Sequence, residues 1–507
     1  MHEAEASDRI ARFPLNDPAA ALGTGLALIN GDRPEAVLPL ARRLAEAHPD
    51  SAQAHQLVGL AARAIGESET AASAFATAAR LAPTDALIAH SRARTALEAG
   101  LPAADLFVAA ARLAPRDGSI LTGHAAALLA EGRAAEAIAA LSRALAGQPL
   151  WLDGHRSLAA ILGQMGQDPL TAITAALAAQ PRAPELHHLA IATALQAHDL
   201  PRADAALAAA RAALGPAAWL NLIAAHIASE SDALAAADSH FAEAGAPTDP
   251  GAAWMHARHL IRAKRPEAAA ALLEPMLGQP GANALWPYLS LAWRMTGDSR
   301  AKWLEGDPRL VGVYDIGLPP ADLAALADHL RALHVAKAAP LDQSVRGGTQ
   351  TDGNLLLRTE GPIRDLKARL LTIVAEHVAQ LPEPTAGHPI LPARRAPQRI
   401  AGSWSVRLTD AGFHTDHVHP QGWFSSALYL ALPETLGRGE ADHAGWLSLG
   451  EARELVPGLA PYRLVEPRPG RLVLFPSTMW HGTRPFPAGE RLTIAFDIAR
   501  PRQDIAP

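Results

Sequence analysis

Three histidines and an aspartate fall within six positions of one segment, Phe413-His-Thr-Asp-His-Val-His-Pro-Gln-Gly-Trp423. Imidazole and carboxylate at that density point to metal ligation or proton transfer. Residues two apart on an extended chain share a face, so His417 and His419 can aim at one centre, and so can His414 and Asp416. Both pairs cannot do so without a bend. A further ligand must come from elsewhere, and His481, in Phe-Pro-Ser-Thr-Met-Trp-His-Gly-Thr, stands at the end of a strand-like run. Ten residues on, Arg491 opens the next such run. The chain has no cysteine, which excludes thiolate zinc sites, iron–sulfur clusters, a disulfide framework and a cysteine nucleophile. A set of structural histidines, or a site for another metal, is the plainer alternative.

The surrounding residues carry more. The run His-Val-His-Pro-Gln-Gly-Trp-Phe-Ser-Ser (417–426), the pair Tyr429-Leu430, the run Pro-Gly-Arg-Leu-Val-Leu-Phe-Pro-Ser (469–477), His481, Arg491 and, upstream, Gln-Ser-Val-Arg-Gly-Gly-Thr-Gln-Thr (343–351) form one constellation. Over roughly residues 305–500 it resembles the iron(II)- and 2-oxoglutarate-dependent oxygenases, in a bacterial branch often joined to tetratricopeptide repeats. The resemblance implies Fe(II) held on one face by two histidines and usually a carboxylate, 2-oxoglutarate as cosubstrate, oxygen, and ascorbate as an accessory reductant. It implies His417 and His481 as ligands. The third is His419 where the motif aligns, with Asp416 of the literal His-x-Asp, His414-Thr-Asp416, as the alternative carboxylate ligand. It also implies Arg491 as the cation for the far carboxylate of the cosubstrate, where a planar fork suits the task, with Tyr429 nearby. Substrates in such a family include prolyl, aspartyl and asparaginyl residues and small molecules.

The elements that must position these residues are short strands at 404–408, 424–432, 471–475 and 492–498, rich in β-branched and aromatic residues and bounded by Gly, Pro and Asp. Alternation such as Val473/Phe475 and Leu492/Ile494/Phe496 gives each strand two distinct faces. Helices are expected over 320–335 and 362–381, with Leu366, Leu370, Leu371 and Val374 on one face. Helices followed by strands suggest a double-stranded β-helix, or jelly roll, with helices packed outside. Trp423 and Trp480 flank the histidines as rim packing. Arg407 is a candidate cavity residue or a surface cation, and His443 and Trp446 fall in a Gly- and Glu-rich loop.

Ahead of this domain the sequence repeats. Pro49, Pro83, Pro115, Pro149, Pro181 and Pro216 recur every 32–35 residues. Gly59, Gly66, Ala71, Phe75 and Ala78, echoed by Leu128, Gly132, Ala137, Leu141 and Ala144, resemble the tetratricopeptide pattern of small residues at helix crossings and one large residue in each gap. About six or seven units are expected from near residue 18 to near 295, with register weakening after Pro216. The histidines in these helices (His55, His90, His124, His155, His187, His188) are expected to be packed or at the surface. The organisation is therefore multidomain: a segment 1–17, an all-α tetratricopeptide solenoid over 18–300, and a jelly-roll oxygenase domain over 301–507.

Lys and Arg number 45 against 51 Asp and Glu, a mild net charge of −6 that offers no footprint for nucleic acid. The acidic start lacks the basic and apolar regions of a signal peptide, and alanine runs are cut by charges too often to span a membrane. A cytoplasmic protein with no membrane partner is expected. The repeat groove is expected to bind a protein or peptide. The leading expectation is a hydroxylase whose repeats recruit a protein substrate or partner. The alternative is a tetratricopeptide scaffold with a catalytically silent oxygenase-like domain.

Overall fold

Small residues and regularly placed helix breakers leave the first 300 residues little choice but paired helices. In the computed structural model, which describes residues 3–434, 436, 443–486 and 489–502, eight antiparallel helix pairs run from Pro18–Asn30 with Pro34–Ala47 to Pro250–Arg262 with Pro266–Leu273. A shorter ninth pair, Trp286–Thr296 with Arg300–Glu305, follows. An initial helix, Glu3–Ala11, buries Ala6 against the first pair. Two or more units thus exceed the expected count, and the helical run ends at Glu305 rather than at 300.

The hidden register lies in the turn inside each pair. Asp32, Gly66, Gly100, Gly132, Gly166, His198, Asp232, Lys264 and Gly297 all have positive φ, at intervals of 32–34 residues. A left-handed residue is needed there to reverse the chain, and glycine takes it without steric cost. The repeat became hard to read after Pro216 because two successive turns use Asp232 and Lys264 instead. Pro247 and Pro280 continue the proline series at the ends of the second helices.

Gly59 shows why the crossings need small residues: a Cβ there would sit 2.7 Å from the Phe75 ring. Ala71, Phe75 and Ala78 are fully buried beside it. Three of the repeat histidines share a structural use, since His55, His155 and His187 each place Nε2 2.9–3.0 Å from the carbonyl of the proline six residues earlier.

The carboxy-terminal strands are β1 (Gly312–Asp315), β2 (Val345–Gln350), β3 (Ile400–His414), β4 (Gly422–Ala431), β5 (Leu447–Leu449), β6 (Arg463–Val465), β7 (Arg471–Pro476), β8 (His481–Thr483) and β9 (Arg491–Ala499). They form an antiparallel six-stranded sheet, β1-β7-β4-β9-β3-β2, and a small antiparallel sheet, β6-β5-β8. A bridge from His417 to His481 extends the small sheet. The four expected strands correspond to β3, β4, β7 and β9, with β3 longer than expected.

The helices Pro320–Leu333 and Gly361–Gln380 pack on the outer face of the large sheet, where Leu326, Leu330, Leu366 and Leu370 share one core with Leu492, Ile494 and Phe496. Tyr429, Val473 and Phe475 of the inner face meet Leu447 and Leu449 of the small sheet. The two sheets therefore enclose the interior in which the site lies.

This β domain runs along one edge of the solenoid, contacting successive turns. Arg399 pairs with Asp32 and Glu35, Lys367 Nζ donates to the Gly66 carbonyl, and Thr359 N donates to the Ala99 carbonyl. Further along, Gln164 Nε2 donates to Asp352 at 2.9 Å, and Asp342 N donates to the Gln196 carbonyl at 2.9 Å. Arg294 closes the series on the carbonyls of Gly450 and Ala460. Among the described residues no helix is long and apolar enough to cross a membrane.

Candidate metal and anion site

Three imidazoles converge because the chain leaving β3 folds back against β8. His417 and His481 exchange backbone hydrogen bonds at 2.9 and 3.0 Å, and His419 N donates to the Ser477 carbonyl at 2.8 Å. One ring nitrogen from each of His417, His419 and His481 then lies within 4.8 Å of the other two.

The opposite ring nitrogens are already engaged. His417 Nδ1 donates to the Thr415 carbonyl at 2.8 Å and His481 Nδ1 to the Met479 carbonyl at 2.9 Å. His419 Nδ1 lies 2.9 and 3.0 Å from the two oxygens of Asp497. Acceptors on Nδ1 hold the proton there and leave the Nε2 lone pairs for a shared centre. Burial, and then the neighbouring imidazole of His419, push His417 down to about 3. Burial likewise holds His481 well below its ordinary value, so both rings are neutral and able to ligate.

Asp416 is turned away from this centre. Arg453 holds it through its backbone N at 2.7 Å, Nε at 2.8 Å and Nη2 at 2.6 Å, with the carboxylate almost fully buried. His414 is also outside the trio and has Nδ1 3.0 Å from the Ser344 hydroxyl. That hydroxyl is 3.2 Å from His417 Nε2 as well.

Behind the histidines the space between the sheets ends at Arg491, which is 2% exposed. Its guanidinium carbon stands 5.1 Å from the Tyr429 ring centre. Among the described residues no carboxylate pairs with Arg491, and its Nε and the Tyr429 hydroxyl are both buried without a hydrogen-bond partner. Burial lowers Arg491 and raises Tyr429, the guanidinium opposing the latter shift. A buried cation without a counter-charge is costly, so this end of the cavity is built for an anion.

In front of the histidines a cleft of about 580 Å³ opens between the β domain and the solenoid, with Arg258, Tyr288, Trp404, Trp480 and Asp497 among its walls. Trp480 Nε1 donates to the Pro287 carbonyl and its ring meets Tyr288 edge-on, so this tryptophan joins the two halves of the chain. Trp423 is instead a core residue, donating to the Ile390 carbonyl. Arg407 pairs with Glu490 at 2.7 Å and lines neither space. His443 and Trp446 pack edge-on against each other, away from both spaces. In the loop that carries them, 435 and 437–442 lie outside the described residues.

Sequence reasoning passed over Asp497 and Ser344. Asp497 was within reach: Arg491, Thr493, Ala495 and Asp497 alternate along β9 and all face the two spaces. Counting by two from Arg491 reaches it.

Two antiparallel sheets around a histidine trio, joined to stacked helix pairs of about 34 residues, define a tetratricopeptide-like solenoid with a double-sheet β domain. Within that domain, residues 402–497 match the family model described as "Putative 2OG-Fe(II) oxygenase". The matched stretch includes His417, His419, Tyr429, His481, Arg491 and Asp497. A search of curated proteins gives no match. Among solved structures, MamA from Desulfovibrio magneticus RS-1 aligns at 16% identity over 33% of this chain and 97% of that chain, with a TM-score of 0.29. YrrB, described as a TPR protein with an unusual peptide-binding site, aligns at 16% identity over 36% and 96%, also at 0.29. A Pseudomonas putida prolyl-4-hydroxylase aligns at 18% identity over 41% of this chain and 99% of that chain, at 0.26.

Proposed function

We propose that this protein is an iron(II)- and 2-oxoglutarate-dependent dioxygenase, a hydroxylase whose repeats help to bind a polypeptide substrate. The carrying observation is that one interior holds three imidazoles with their Nδ1 atoms tied and, at its end, a buried guanidinium lacking a counter-charge. The residues fit both groups. Three imidazole nitrogens suit a ferrous ion, and the partnerless Tyr429 hydroxyl and Arg491 Nε suit a carboxylate.

His417, His419 and His481 would hold the iron, which when bound supplies oxygen activation coupled to decarboxylation of the cosubstrate. Arg491 binds the far carboxylate of 2-oxoglutarate, and the Tyr429 hydroxyl donates to the same group. Asp497 keeps the proton of His419 on Nδ1 and orients the ring; it also lends negative character to a ligand set that has no carboxylate of its own. Phe475 and Leu447 wall the interior and exclude water. Asp416 has a structural task, fastening Arg453.

Cobalt(II) titration and 2-oxoglutarate affinity test the assignment separately. His419→Ala is expected to lose stoichiometric metal binding while Asp416→Ala keeps it; the reverse would make Asp416 the ligand. Arg491→Ala should weaken 2-oxoglutarate by about 100-fold with metal binding intact. A chain that binds neither metal nor 2-oxoglutarate would be a scaffold.

A further inference from the structure

The cleft in front of the histidines holds one cation that, among the described residues, touches no carboxylate. Arg346, on β2, donates from Nη1 to the carbonyls of Gln343 and Val345 at 2.7 and 2.9 Å and from Nη2 to His198 Nε2 at 2.8 Å. All three acceptors are neutral. Among the described residues no carboxylate ion-pairs with it, and its Nε–H and one Nη2–H remain unused. The other charges around the cleft are matched: Arg258 by Glu230, Asp416 by Arg453, and Asp497 by the Nδ1–H of His419. Of the two acids whose charge reaches this corner, Asp342 is pushed towards its neutral form by burial, and Glu454, outside the cleft walls, acts on Arg346 and His198 through space without an ion pair to either.

The partner that positions Arg346 comes from the solenoid and is held at a cost. His198 occupies the turn position that glycine fills at Gly66, Gly100, Gly132 and Gly166, with φ of 56°. Asp32, Asp232 and Lys264 take the same conformation at equivalent turns, so what sets His198 apart is its contact with Arg346. The same turn is fastened to the β2 approach by Asp342 N donating to the Gln196 carbonyl. Repeat and β domain together thus hold a cation in the cavity that His417 and His419 also line.

We propose that the Arg346–His198 pair is a subsite for a substrate carboxylate, supplied by an acidic residue of a polypeptide lying in the cleft between repeats and β domain. A planar guanidinium with two unused N–H groups matches a carboxylate. The amide side chains of Gln343 and Gln350 offer the paired donors and acceptors that a peptide backbone requires, and Tyr288, Trp404 and Trp480 supply apolar wall. The inference rests on the histidine centre being the site of oxidation, but its test reads binding.

The full-length chain is immobilised and offered equal pools of heptapeptides, blocked at both ends, of random sequence with a central Glu, Gln or Lys. Wild type should retain the Glu pool about tenfold over the others. Arg346→Gln should abolish that preference, and His198→Gly, which removes contact and backbone strain together, should reduce it without lowering the melting temperature. Equal retention of the three pools, a Lys preference, or an unchanged Glu preference in Arg346→Gln would overturn the proposal. Retention of N-acetylglutamate α-amide as strong as that of the Glu pool would overturn the polypeptide part. If wild type prefers the Glu pool yet binds no 2-oxoglutarate, the dioxygenase reading fails and the subsite stands.

Discussion

At the scale of single residues, the site depends on what stands behind each imidazole. Two of the three Nδ1 atoms donate to backbone carbonyls, which no substitution can remove, whereas His419 relies on the Asp497 side chain. Asp497→Asn keeps the shape but takes away the charge, and is expected to weaken metal binding 10- to 100-fold. Cobalt(II) titration reads this directly, and unchanged affinity would remove Asp497 from the site. Ser344 acts in the opposite sense, because its hydroxyl lies beside the Nε2 that His417 must offer to a metal. Ser344→Ala should tighten metal binding by about two- to tenfold, the value of one modest hydrogen bond; weaker binding would instead mark the hydroxyl as supporting. The histidines and Arg491 were legible in the sequence because they fall at short, fixed spacings within recognisable motifs. Asp497 needed one further step, counting by two along β9 from Arg491, and Ser344 lay inside the 343–351 run with no chemistry of its own to single it out.

At the scale of elements, legibility followed length. The long strands β3, β4, β7 and β9 show alternation, while three-residue strands such as β5, β6 and β8 cannot. β2 was hidden for another reason, as its Gly347-Gly348 pair carries no strand propensity. In the solenoid, proline spacing revealed the early pairs and the left-handed turns revealed the rest. The close crossings give a direct test of that packing. Gly123→Ala would bring a Cβ within 2.3 Å of the Phe107 ring, and overpacking of this kind costs about 1–3 kcal/mol. Urea unfolding should show a lower midpoint with an unchanged slope; no loss of stability would mean that the two helices separate readily.

At the scale of the whole molecule, the contacts that join solenoid to β domain were invisible in advance, since pairs such as Arg399 with Asp32 are far apart in sequence and leave no local pattern. At the last of these contacts lies a buried acid. Glu305 is 4% exposed, Ser290 donates to one oxygen, and the other has no partner. Burial raises its pKa to about 7, above its ordinary 4.5. The folded state therefore binds the proton more tightly than the unfolded chain, and this contribution is complete below about pH 4.5 and lost as pH rises through 7. In urea unfolding, Glu305→Gln should match wild type in stability near pH 4.5 and exceed it at pH 8 by no more than about 3 kcal/mol. An equal gap at both pH values would show that the carboxyl does not titrate in this window.

The row of contacts from Asp32 to Arg294 has a mechanical meaning. A stack of helix pairs is a spring whose curvature ordinarily adapts to what it holds. Here the β domain is fastened at six places along the arc and serves as a strut, so bending the spring would break the Arg399 ion pairs at one end, part Arg294 from its carbonyls at the other, and shear the 342–346 segment between them. Because Ser344 in that segment touches His417, a shift of the repeats at Gln196 has a path of only two contacts to the histidine centre.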